Sequence, residues 1–460
     1  METKLTRLIY DRSPFALRNL FASIYGWRKN RLRFTGDYRR WARFFEEAHG
    51  WSQAELRNYQ DERLHAMARE AYEHVPYWNE TFKSLGLTPD DLRTVDDLPK
   101  LPPLEKRTVA EQGTRMLDDR VNPKEVHWHE TSGSTGTPLR IPSHPKILQM
   151  EWAFIWTRYR HGMTLGDPWG SFAGLEIVPP GRTRPPFWID NWASHQRMFS
   201  IFHMNERTLP HYVRALDERY NKFLTGYSSA AWTIADYMLR NDIKLDRPPE
   251  AFFAASEELQ PKAAEALARA FECKVWNRYG QHELTGSITE YPCGHLHVDM
   301  DFSIVELEPA GAEDDGTLTE MLQTNFHDTT WPLFRYRIGD LAVVGDDDVC
   351  PGGTPGRVVR RLHGRTGHYF VLPDGSRVTN ISVIAKKCHH IRYMQVVQDT
   401  PGELTVRIVR DDRYTEADEA NVIEQFRRKV GPDLALHLDY VEEIERSSTG
   451  KYLSIVNRLS

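Results

Sequence analysis

Residues 131–138, Thr131-Ser132-Gly133-Ser134-Thr135-Gly136-Thr137-Pro138, are the stretch that indicates the fold most directly. These eight positions hold two glycines and five hydroxyl residues. Glycine lets backbone N–H groups approach a polyphosphate closely, and hydroxyl groups donate further hydrogen bonds. The run lacks the Gly-Lys-Ser/Thr ending of a Walker loop. By itself it is compatible with a phosphate-binding loop and with an ordinary flexible turn.

Helix and strand patterns alternate on the C-terminal side of this stretch. The spacing predicts helices over 209–223 and Lys262–Phe271, and strands at Phe223–Gly226, Ala251–Ala255 and Lys274–Tyr279. Such alternation predicts an α/β domain with layered sheets. Four further strand patterns, with little helix between them, predict a smaller β-rich subdomain: Ile304–Glu308, Leu318–Thr324, Phe334–Tyr336 and Leu341–Val344.

The two ends of the chain have different patterns. Residues 1–120 are predicted to be largely helical, with Ala54–His74 as the clearest helix before a series of proline-containing turns. Beyond Arg365, a hairpin (Met394–Gln398 and Leu404–Arg410), a helix (Glu416–Val430) and a strand (Leu436–Tyr440) predict a small α+β domain. We therefore expect a large N-terminal domain over 1–363 and a small, mobile C-terminal domain over 364–460.

Composition excludes several classes of protein. The 460 residues are 40% hydrophobic, enough for a large core, and the net charge of -6 does not favour a nucleic acid partner. Four widely separated cysteines and no secretory signal predict reduced thiols and a cytoplasmic location. The first thirty residues mix apolar and basic side chains but hold no run long enough to span a bilayer. A helix packed on its own protein is expected there; peripheral membrane contact and a homodimer stay open.

Four further motifs follow the glycine-rich run in a fixed order. They are Trp276 to Glu283 (Trp-Asn-Arg-Tyr-Gly-Gln-His-Glu), Tyr336 to Asp340 (Tyr-Arg-Ile-Gly-Asp), Gly364-Arg365, and Ser448-Thr449-Gly450-Lys451. The series resembles the adenylate-forming superfamily of acyl-CoA ligases, peptide-synthetase adenylation domains and luciferases. Within it the chain is most similar to the phenylacetate-CoA ligase group, in its capsular polysaccharide biosynthesis branch. The N-terminal segments Trp51-Ser52, Tyr59-Gln60, His74 to Trp78, Asp97 to Pro102 and Lys106 support this placement.

The resemblance implies a role for each motif. ATP would be bound by Thr131, Ser132, Gly133, Ser134, Thr135, Gly136 and Thr137 at the β- and γ-phosphates, and by Ser256, Glu257, Asn277, Arg278, Tyr279 and Gly280 around adenine. Asp340 would accept hydrogen bonds from the ribose hydroxyls, and Arg365 would reach ribose or phosphate at the junction between the domains. Glu283 would ligate Mg²⁺, which prefers carboxylate oxygen. Lys451 would offset charge that develops on the phosphorus oxygens.

Three features leave alternatives open. His282 stands where a Thr or Ser commonly precedes the glutamate, and it is expected either to hydrogen-bond the α-phosphate or to be structural. The segment Gly364 to His368 lacks the acidic pair that usually follows the arginine, although its glycines allow a hinge. Cys293, His295, His297 and Cys350 offer three ligands and an uncertain fourth for a structural zinc ion, with buried thiols and a strand-facing histidine as the default interpretation.

The expected reaction has two halves. A carboxylate attacks the α-phosphorus of Mg-ATP, pyrophosphate leaves, and an acceptor then attacks the acyl-adenylate. Tyr227 and Ser229 are expected in the acyl pocket, where the aromatic residues of the stretch Phe172 to Phe202 favour an apolar or aromatic acid. Core packing explains most of these rings equally well. Coenzyme A is the expected acceptor; an amine, a hydroxyl or a carrier-protein thiol is the alternative. The rivals are a non-catalytic nucleotide-binding scaffold and a membrane-surface assembly protein.

Overall fold

The computed structural model describes residues 9–124, 126–130, 139–159, 161–179, 181–313, 316–345, 350–365, 370–372, 377–378, 382–430, 434–444, 446 and 452–459. The helices are α1 (Phe15–Arg33), α2 (Tyr38–Ala48), α3 (Gln53–His74), α4 (Pro76–Ser84), α5 (Lys106–Gln112), α6 (Pro145–Phe154), α7 (Leu209–Glu218), α8 (Ser228–Arg240), α9 (Pro261–Ala270), α10 (Ser382–Lys387) and α11 (Glu416–Val430).

The strands are β1 (Leu104–Glu105), β2 (His127–Glu130), β3 (Arg140–Ser143), β4 (Trp169–Ala173), β5 (Trp188–Asn191), β6 (Gln196–Ser200), β7 (Phe223–Gly226), β8 (Ala251–Ala254), β9 (Lys274–Trp276), β10 (Arg278–Gly280), β11 (Ser287–Glu290), β12 (Leu296–Val298), β13 (Ser303–Glu313), β14 (Gly316–Asn325), β15 (Tyr336–Val344), β16 (Val358–Val359), β17 (Arg361–Arg365), β18 (Phe370–Val371), β19 (Arg377–Val378), β20 (Ile391–Gln398), β21 (Glu403–Arg410), β22 (Ala435–Tyr440) and β23 (Ile455–Asn457).

The chain forms two compact units. Unit 1 comprises Met1–Ser23, Asp167–Trp276 and His363–Ser460, and unit 2 comprises Ile24–Gly166 and Asn277–Leu362. The predicted mixed α/β class is confirmed. Because unit 1 groups the C-terminal segment with Asp167–Trp276, a separate domain over 364–460 stays a prediction.

A six-stranded sheet forms the centre of unit 1. Its order is β5-β6-β4-β7-β8-β9, and all neighbours are parallel except β5 and β6. Helices α7, α8 and α9 connect β6 to β7, β7 to β8 and β8 to β9, as parallel strands require. The predicted strand-helix-strand alternation in this segment is therefore confirmed.

The C-terminal part of unit 1 has a second sheet. Its strands run in the order β22-β21-β20-β23, with β20 and β21 as the predicted antiparallel hairpin. Helix α11 has the predicted bounds, and its buried Val422 and Phe426 pack with Val396, Val406 and Ile408 of the sheet. The expected α+β pattern of this segment is confirmed.

Unit 2 begins with helices whose ends are encoded locally. Helix α3 starts at a capping box, in which Ser52 Oγ accepts from the Glu55 N–H and Glu55 accepts from the Ser52 N–H. It ends before Pro76, which begins α4. The apolar faces of these helices pack with strands β3, β13 and β15 in one core, which includes Trp78, Trp331 and Tyr336.

Two further β-sheets belong to unit 2, in addition to the β2–β3 hairpin. Strands β13, β14 and β15 form an antiparallel sheet that β1 extends, and β10, β11, β12 and β16 form a four-stranded antiparallel sheet. The predicted strand Lys274–Tyr279 was wrong as one element, because it splits at Asn277 into β9 and β10, which belong to different sheets. No helix among the described residues is long and apolar enough to cross a membrane.

Candidate active site

Strand β10 carries Arg278, Tyr279 and Gly280. Glu290 on the neighbouring strand β11 fixes Asn277, the residue just before β10. The Asn277 N–H donates to the Glu290 carboxylate at 3.1 Å, and the Glu290 N–H donates to the Asn277 carbonyl at 2.9 Å. Tyr279 stands opposite Ile288 in the β10–β11 ladder. The two hydrogen bonds to Glu290 fix the backbone at Asn277, and the pairing with Ile288 fixes the backbone of Tyr279 on the edge strand β10.

Tyr279 and Asp340, which the sequence places 61 residues apart, are in contact. The Tyr279 hydroxyl donates to Asp340 Oδ2 at 2.7 Å, and the buried Gln323 amide donates to the same hydroxyl at 2.8 Å. Asp340 follows Gly339, whose φ of +81° favours glycine, at an irregularity in the β14–β15 pairing. The irregularity turns the Asp340 carboxylate towards Tyr279.

The turn between β10 and β11 carries His282 and Glu283. Thr285 Oγ1 donates to Gln323 Oε1 at 2.8 Å, and the side chain of Gln281 contacts both residues. A Cβ at Gly286 would lie 2.6 Å from the end of the Gln323 side chain, so a larger residue there would displace the amide that contacts Tyr279. Within this turn Glu283 is buried and His282 is exposed.

Glu151 on helix α6 belongs to the same region and was not predicted. Burial raises its pKa, and the positive charges of Arg278, His282 and Arg33 act in the opposite direction. Arg278 also lies 5.7 Å over the ring of Phe154 on the same helix. A signal was present in the sequence, since Glu151 is an acid in the mainly apolar run Ile147 to Phe154 that follows the glycine-rich stretch.

In unit 1, Glu257 joins the start of helix α8 to the C-terminal segment. Its carboxylate accepts from the N–H and hydroxyl of Ser229, each at 3.1 Å, and from the Tyr452 N–H at 2.9 Å. Arg446 donates to Ser229 Oγ at 2.8 Å and to Thr233 at 3.3 Å. Burial raises the pKa of Glu257, and these hydrogen bonds oppose that rise.

Ser256 precedes this carboxylate with a φ of +69°, an unusual conformation for a residue with a side chain. Strand β8 ends at Ala254, one residue earlier than predicted, so Ala255 separates it from Ser256. The roles of Ser256, Glu257 and Ser229 in binding ATP or substrate stay predictions. Their observed contacts link Ser229 and Glu257 to each other and to the backbone beside Lys451.

Tyr227 is held close to strand β4. Its N–H donates to the Phe172 carbonyl at 2.7 Å, and a Cβ at Gly226 would lie 2.0 Å from that oxygen. Burial raises the pKa of the Tyr227 phenol. The aromatic residues predicted around it are mostly core: Phe172 stacks on Phe199 at 5.0 Å, and Phe187 stacks on Tyr212 at 5.8 Å.

Several predicted residues lie outside the described part of the structure. Thr131, Ser132, Gly133, Ser134, Thr135, Gly136 and Thr137 connect the β2–β3 hairpin, whose pairing runs from His127 with Ser143 to Glu130 with Arg140. Lys451 precedes the described Tyr452. Arg365 ends strand β17, and its side chain is outside the description.

Four candidate metal ligands also come together in unit 2. One donor atom each from Cys293, His295, His297 and Cys350 lie within 4.8 Å of one another. Cys293 Sγ is 3.4 Å from His297 Nε2, and His297 Nδ1 is 3.1 Å from the Pro355 carbonyl. The sequence supplied these residues, but the approach of Cys350 to the other three is a property of the fold.

Comparison with known proteins gives consistent similarities. A family model described as the CapK C-terminal domain matches residues 370–458. The chain is 38% identical over 431 residues to phenylacetate-coenzyme A ligase of Aromatoleum evansii, covering 88% of this chain and 95% of that protein. It is 25% identical over 463 residues to Protein CapK of Staphylococcus aureus, covering 98% and 99%.

The fold is also similar to a solved enzyme. The crystal structure of 2-hydroxyisobutyryl-CoA ligase, in the postadenylation state in complex with R3-HIB-AMP, superposes with a TM-score of 0.67 at 17% identity. The match covers 89% of this chain and 91% of that one. At this identity the similarity concerns the fold alone.

Proposed function

We propose that this chain, which belongs to the phenylacetate-CoA ligase family of adenylate-forming enzymes, activates a carboxylic acid with ATP and transfers the acyl group to the thiol of coenzyme A. It is an adenylate-forming, acyl-CoA ligase-like enzyme, similar over nearly its whole length to Protein CapK. The acid and the acceptor are the proposed parts. The proposal for the acid and the proposal for the acceptor each depend on the residues that would contact that molecule.

The contact between Tyr279 and Asp340 is the observation that supports this function best. Adenosine offers a flat base and, one bond away, a ribose with two neighbouring hydroxyls. An aromatic ring hydrogen-bonded at 2.7 Å to a carboxylate presents the matching pair of groups. Asn277 precedes this ring on the chain, and its backbone N–H is held by Glu290; its side-chain amide would recognise the adenine amine.

The phosphates and the metal would lie beside the turn at residues 281–286. Mg²⁺ prefers carboxylate oxygen, and buried Glu283 supplies one; when bound, the ion would neutralise phosphate charge. His282 would donate a hydrogen bond to the α-phosphate. Glu151 lies close enough to Arg278 and His282 to interact with their charges, and burial raises its pKa. Thr131 to Thr137 would hold the β- and γ-phosphates.

In the first half-reaction, a carboxylate oxygen of the acid forms a bond to the α-phosphorus and the bond to the β-phosphate oxygen breaks. Lys451 would stabilise the negative charge that develops on the α-phosphate oxygens. The hydrogen bond from the Tyr452 N–H to Glu257 fixes the backbone next to this lysine. In the second half-reaction the thiol sulfur attacks the acyl carbon and the thiol loses its proton, while the bond from the acyl carbon to the bridging oxygen breaks, so AMP leaves with the oxygen that came from the carboxylate.

An aromatic or apolar acid is the proposed substrate, bound near Tyr227 and Ser229. The relative from Aromatoleum evansii is named for phenylacetate. The rings of Phe172, Phe187 and Phe199 are already packed against one another in the core. The choice of acid therefore depends on Tyr227 and its immediate neighbours, and not on the aromatic content of the segment.

A different acceptor is the second candidate. The segment 370–458, which contains Lys451, is the part that the CapK C-terminal family model matches. Its loop at residues 372–376 has no sequence pattern typical of thiol binding. An amine, a hydroxyl or a carrier-protein thiol would accept the acyl group by the same attack on the acyl carbon.

The function is tested by trapping the adenylate. Purified protein is supplied with ATP, Mg²⁺, hydroxylamine and a panel of aromatic and aliphatic acids, and pyrophosphate and hydroxamate are measured. Lys451→Ala should lower the rate about 100- to 1000-fold while ATP binding persists. Lys387→Ala, at an exposed position in the same segment, should leave the rate unchanged.

The acceptor is identified by mass spectrometry of products formed with coenzyme A or with candidate amines. Acyl-CoA formation supports the first candidate, and an amide formed in its place supports the second. Release of no pyrophosphate with any acid would overturn the ligase assignment. An unchanged rate in Lys451→Ala would overturn the role of that lysine.

A further inference from the structure

Cys293, His295, His297 and Cys350 are brought together by two short loops of the four-stranded sheet. Cys293 and His295 lie in the turn between β11 and β12, and His297 is on β12. Cys350 lies in the loop that leads to β16, the strand paired with β12. The β12–β16 ladder, with His297 opposite Val358, holds the two loops against each other.

The spacing of the four donor atoms fits one metal ion. In a tetrahedral zinc site, metal–sulfur bonds of about 2.3 Å and metal–nitrogen bonds of about 2.0 Å place neighbouring ligands roughly 3.5 Å apart. The four atoms here all lie within 4.8 Å of one another, and the Cys293–His297 pair is already at 3.4 Å. Small side-chain movements would complete the tetrahedron.

Hydrogen bonds from Nδ1 of His297 leave its other ring nitrogen, Nε2, free of a proton and able to bind a metal. The carbonyls of Pro355 and Gly356 lie 3.1 and 3.3 Å from Nδ1, so Nδ1 carries the proton that donates to them. In the neutral ring Nε2 is then the lone-pair atom, and it faces Cys293. A histidine ligand held by a backbone carbonyl in this way is typical of protein zinc sites.

The loop on the Cys350 side has little freedom to move away. Gly356 has a φ of +92°, and a Cβ there would lie 2.3 Å from the Val298 carbonyl. A Cβ at Gly352 would lie 3.7 Å from Cys350 Sγ and 3.5 Å from Cys293. The close approach at Gly356 requires glycine and holds this loop against β12, and Gly352 lies in ordinary contact distance of both Cys350 Sγ and the Cys293 side chain.

We propose that Cys293, His295, His297 and Cys350 bind a structural Zn²⁺ ion. Binding would form two zinc–sulfur and two zinc–nitrogen bonds and release the two thiol protons to solvent. The two thiolate charges would balance the charge of the ion, which makes burial beside His297 favourable. The ion would tie the turn at 291–295 to the loop at 350–357, at the opposite end of β11 from His282 and Glu283.

The test measures metal content and ligand type directly. Full-length protein purified under reducing conditions should contain about one zinc per chain by mass spectrometry of the metal. Replacement with Co²⁺ should give the visible absorption bands of a tetrahedral site and a thiolate-to-cobalt band in the near ultraviolet. Cys350→Ser should lose the zinc, and Cys273→Ser, a half-buried cysteine outside the cluster, should keep it.

A second variant covers the case in which Cys350→Ser fails to fold. His295 is exposed, so His295→Ala should fold and should bind zinc at least 10-fold more weakly, with altered cobalt bands. Wild-type protein that holds no zinc or cobalt after reconstitution, while both thiols react with a thiol reagent, would overturn the proposal. Equal metal affinity in wild type and His295→Ala would remove His295 from the site.

Helix α1 provides a second, independent observation, because several of its polar side chains are buried while most of its large apolar side chains are exposed. Its polar residues Arg18, Asn19 and Ser23 are buried, and Asn19 and Ser23 accept from the backbone N–H groups of Asp190 and Trp192. Its large apolar residues face solvent: Leu17, Leu20, Phe21, Ile24, Tyr25, Trp27 and Leu32. A solvent-facing row of this kind usually marks an interaction surface.

The charge of the same segment identifies the partner. Residues 12–36 contain six basic and no acidic residues, although the whole chain has a net charge of -6. Arg12, Arg28 and Arg31 are exposed beside the apolar row. Tyr25 and Trp27, 63% and 54% exposed, are the side chains that favour the headgroup level of a bilayer. An apolar row with basic and aromatic neighbours fits an anionic lipid surface.

We propose that helix α1 lies on an anionic membrane surface through this row. Full-length protein should sediment with vesicles that contain phosphatidylglycerol and phosphatidylcholine, and about 10-fold less with phosphatidylcholine alone. Leu20→Ser combined with Ile24→Ser should reduce binding about 10-fold without changing the adenylation rate. Leu85→Ser, at an exposed leucine elsewhere, is the matched control.

Two results would overturn the membrane assignment. One is equal binding of the double variant and the wild type to the anionic vesicles. The other is a wild-type dimer that the double variant converts to a monomer in the absence of lipid, which would identify a second copy of the chain as the partner.

Discussion

Two pairs, each a tyrosine hydrogen-bonded to an aspartate, lie near opposite ends of strand β11 and have different surroundings. At one end Tyr279 donates to Asp340 at 2.7 Å, and at the other Tyr291 donates to Asp299 at 3.0 Å. Tyr279 is half-buried and its turn exposes His282. Asp299 and its neighbour Asp301 are fully buried. Both carboxylates are buried, so the half-buried Tyr279 and the exposed His282 are what distinguish the end proposed to bind ATP from the end that supports the fold.

The buried end is stabilised by a cation. Arg158 donates to Asp301 at 2.5 Å and to the Tyr291 hydroxyl at 2.7 Å. Asp301 also contacts His327, since the histidine Nε2 lies 2.8 Å from its carbonyl. Removal of one member of such a buried set leaves the others without compensation, so we expect effects on stability there. At the other end of β11, which holds Tyr279, His282 and Glu283 and is called the open end below, we expect effects on catalysis.

The largest effect is expected at the open end, for Glu283→Gln. This change keeps the size of the side chain and removes the charge proposed to bind Mg²⁺, so adenylation should slow about 100-fold. The rate of pyrophosphate release, measured against Mg²⁺ concentration, should require more metal in the variant. Asp299→Asn at the buried end should lower the melting temperature and leave the Mg²⁺ dependence unchanged. A wild-type metal dependence in Glu283→Gln would exclude Glu283 as a ligand.

The next effect concerns pH and the buried end. Burial lowers the pKa of His327 to about 3, below its usual value near 6.5, so the unfolded chain binds the proton first. This group therefore contributes stability above pH 6.5, and the contribution is lost as pH falls towards 3. Between pH 7 and pH 5 the loss should be about 2 kcal/mol.

The measurement is urea unfolding of wild type and His327→Gln at pH 7 and pH 5. The variant lacks the titrating ring, so the difference in unfolding free energy between the two proteins should shrink by that amount at pH 5. Asp328, whose pKa burial raises to about 6, is present in both proteins and cancels in the difference. Parallel pH dependence in the two proteins would show that the pKa of His327 in the fold is close to its value in the unfolded chain.

The smallest effect compares the two tyrosines directly. Tyr279→Phe removes one hydrogen bond to a carboxylate, worth about 1.5 kcal/mol, and should raise the KM for ATP about 10-fold. Tyr291→Phe removes the equivalent bond at the buried end and should lower stability by a similar amount while KM stays the same. Initial rates and melting temperatures of both variants give the answer. An unchanged KM in Tyr279→Phe would separate this pair from ATP binding.

Local signals were enough to predict much of the fold. Helix α11 has the predicted bounds, and α3 begins one residue before the predicted Ala54, because capping and periodicity are encoded within a few residues. The split of Lys274–Tyr279 could not be predicted. One apolar run satisfies either a single strand or two strands in different sheets, and only the tertiary partners of each part decide between them.

The site was predictable where a residue belongs to a local motif. Tyr279 and Asp340 were predicted, and the structure brings them together. Gln323, Glu151 and Arg158 were missed, because their partners are distant in the chain: Arg158 is 143 residues from Asp301. A polar residue inside an apolar element is a visible signal, but the sequence alone does not identify the group that satisfies it.

Gly226 limits how this protein can change. Any side chain there would collide with the Phe172 carbonyl, so the position is closed to mutation whatever acid the enzyme comes to use. The close packing of Gly226 against Phe172 also fixes the backbone of Tyr227. A substitution at 227 would therefore change one side chain without moving strand β7. A library that tests the proposed role of Tyr227 in acid specificity should therefore leave 226 unvaried and favour large apolar or aromatic replacements at 227, because Tyr227 is itself buried in the core of unit 1.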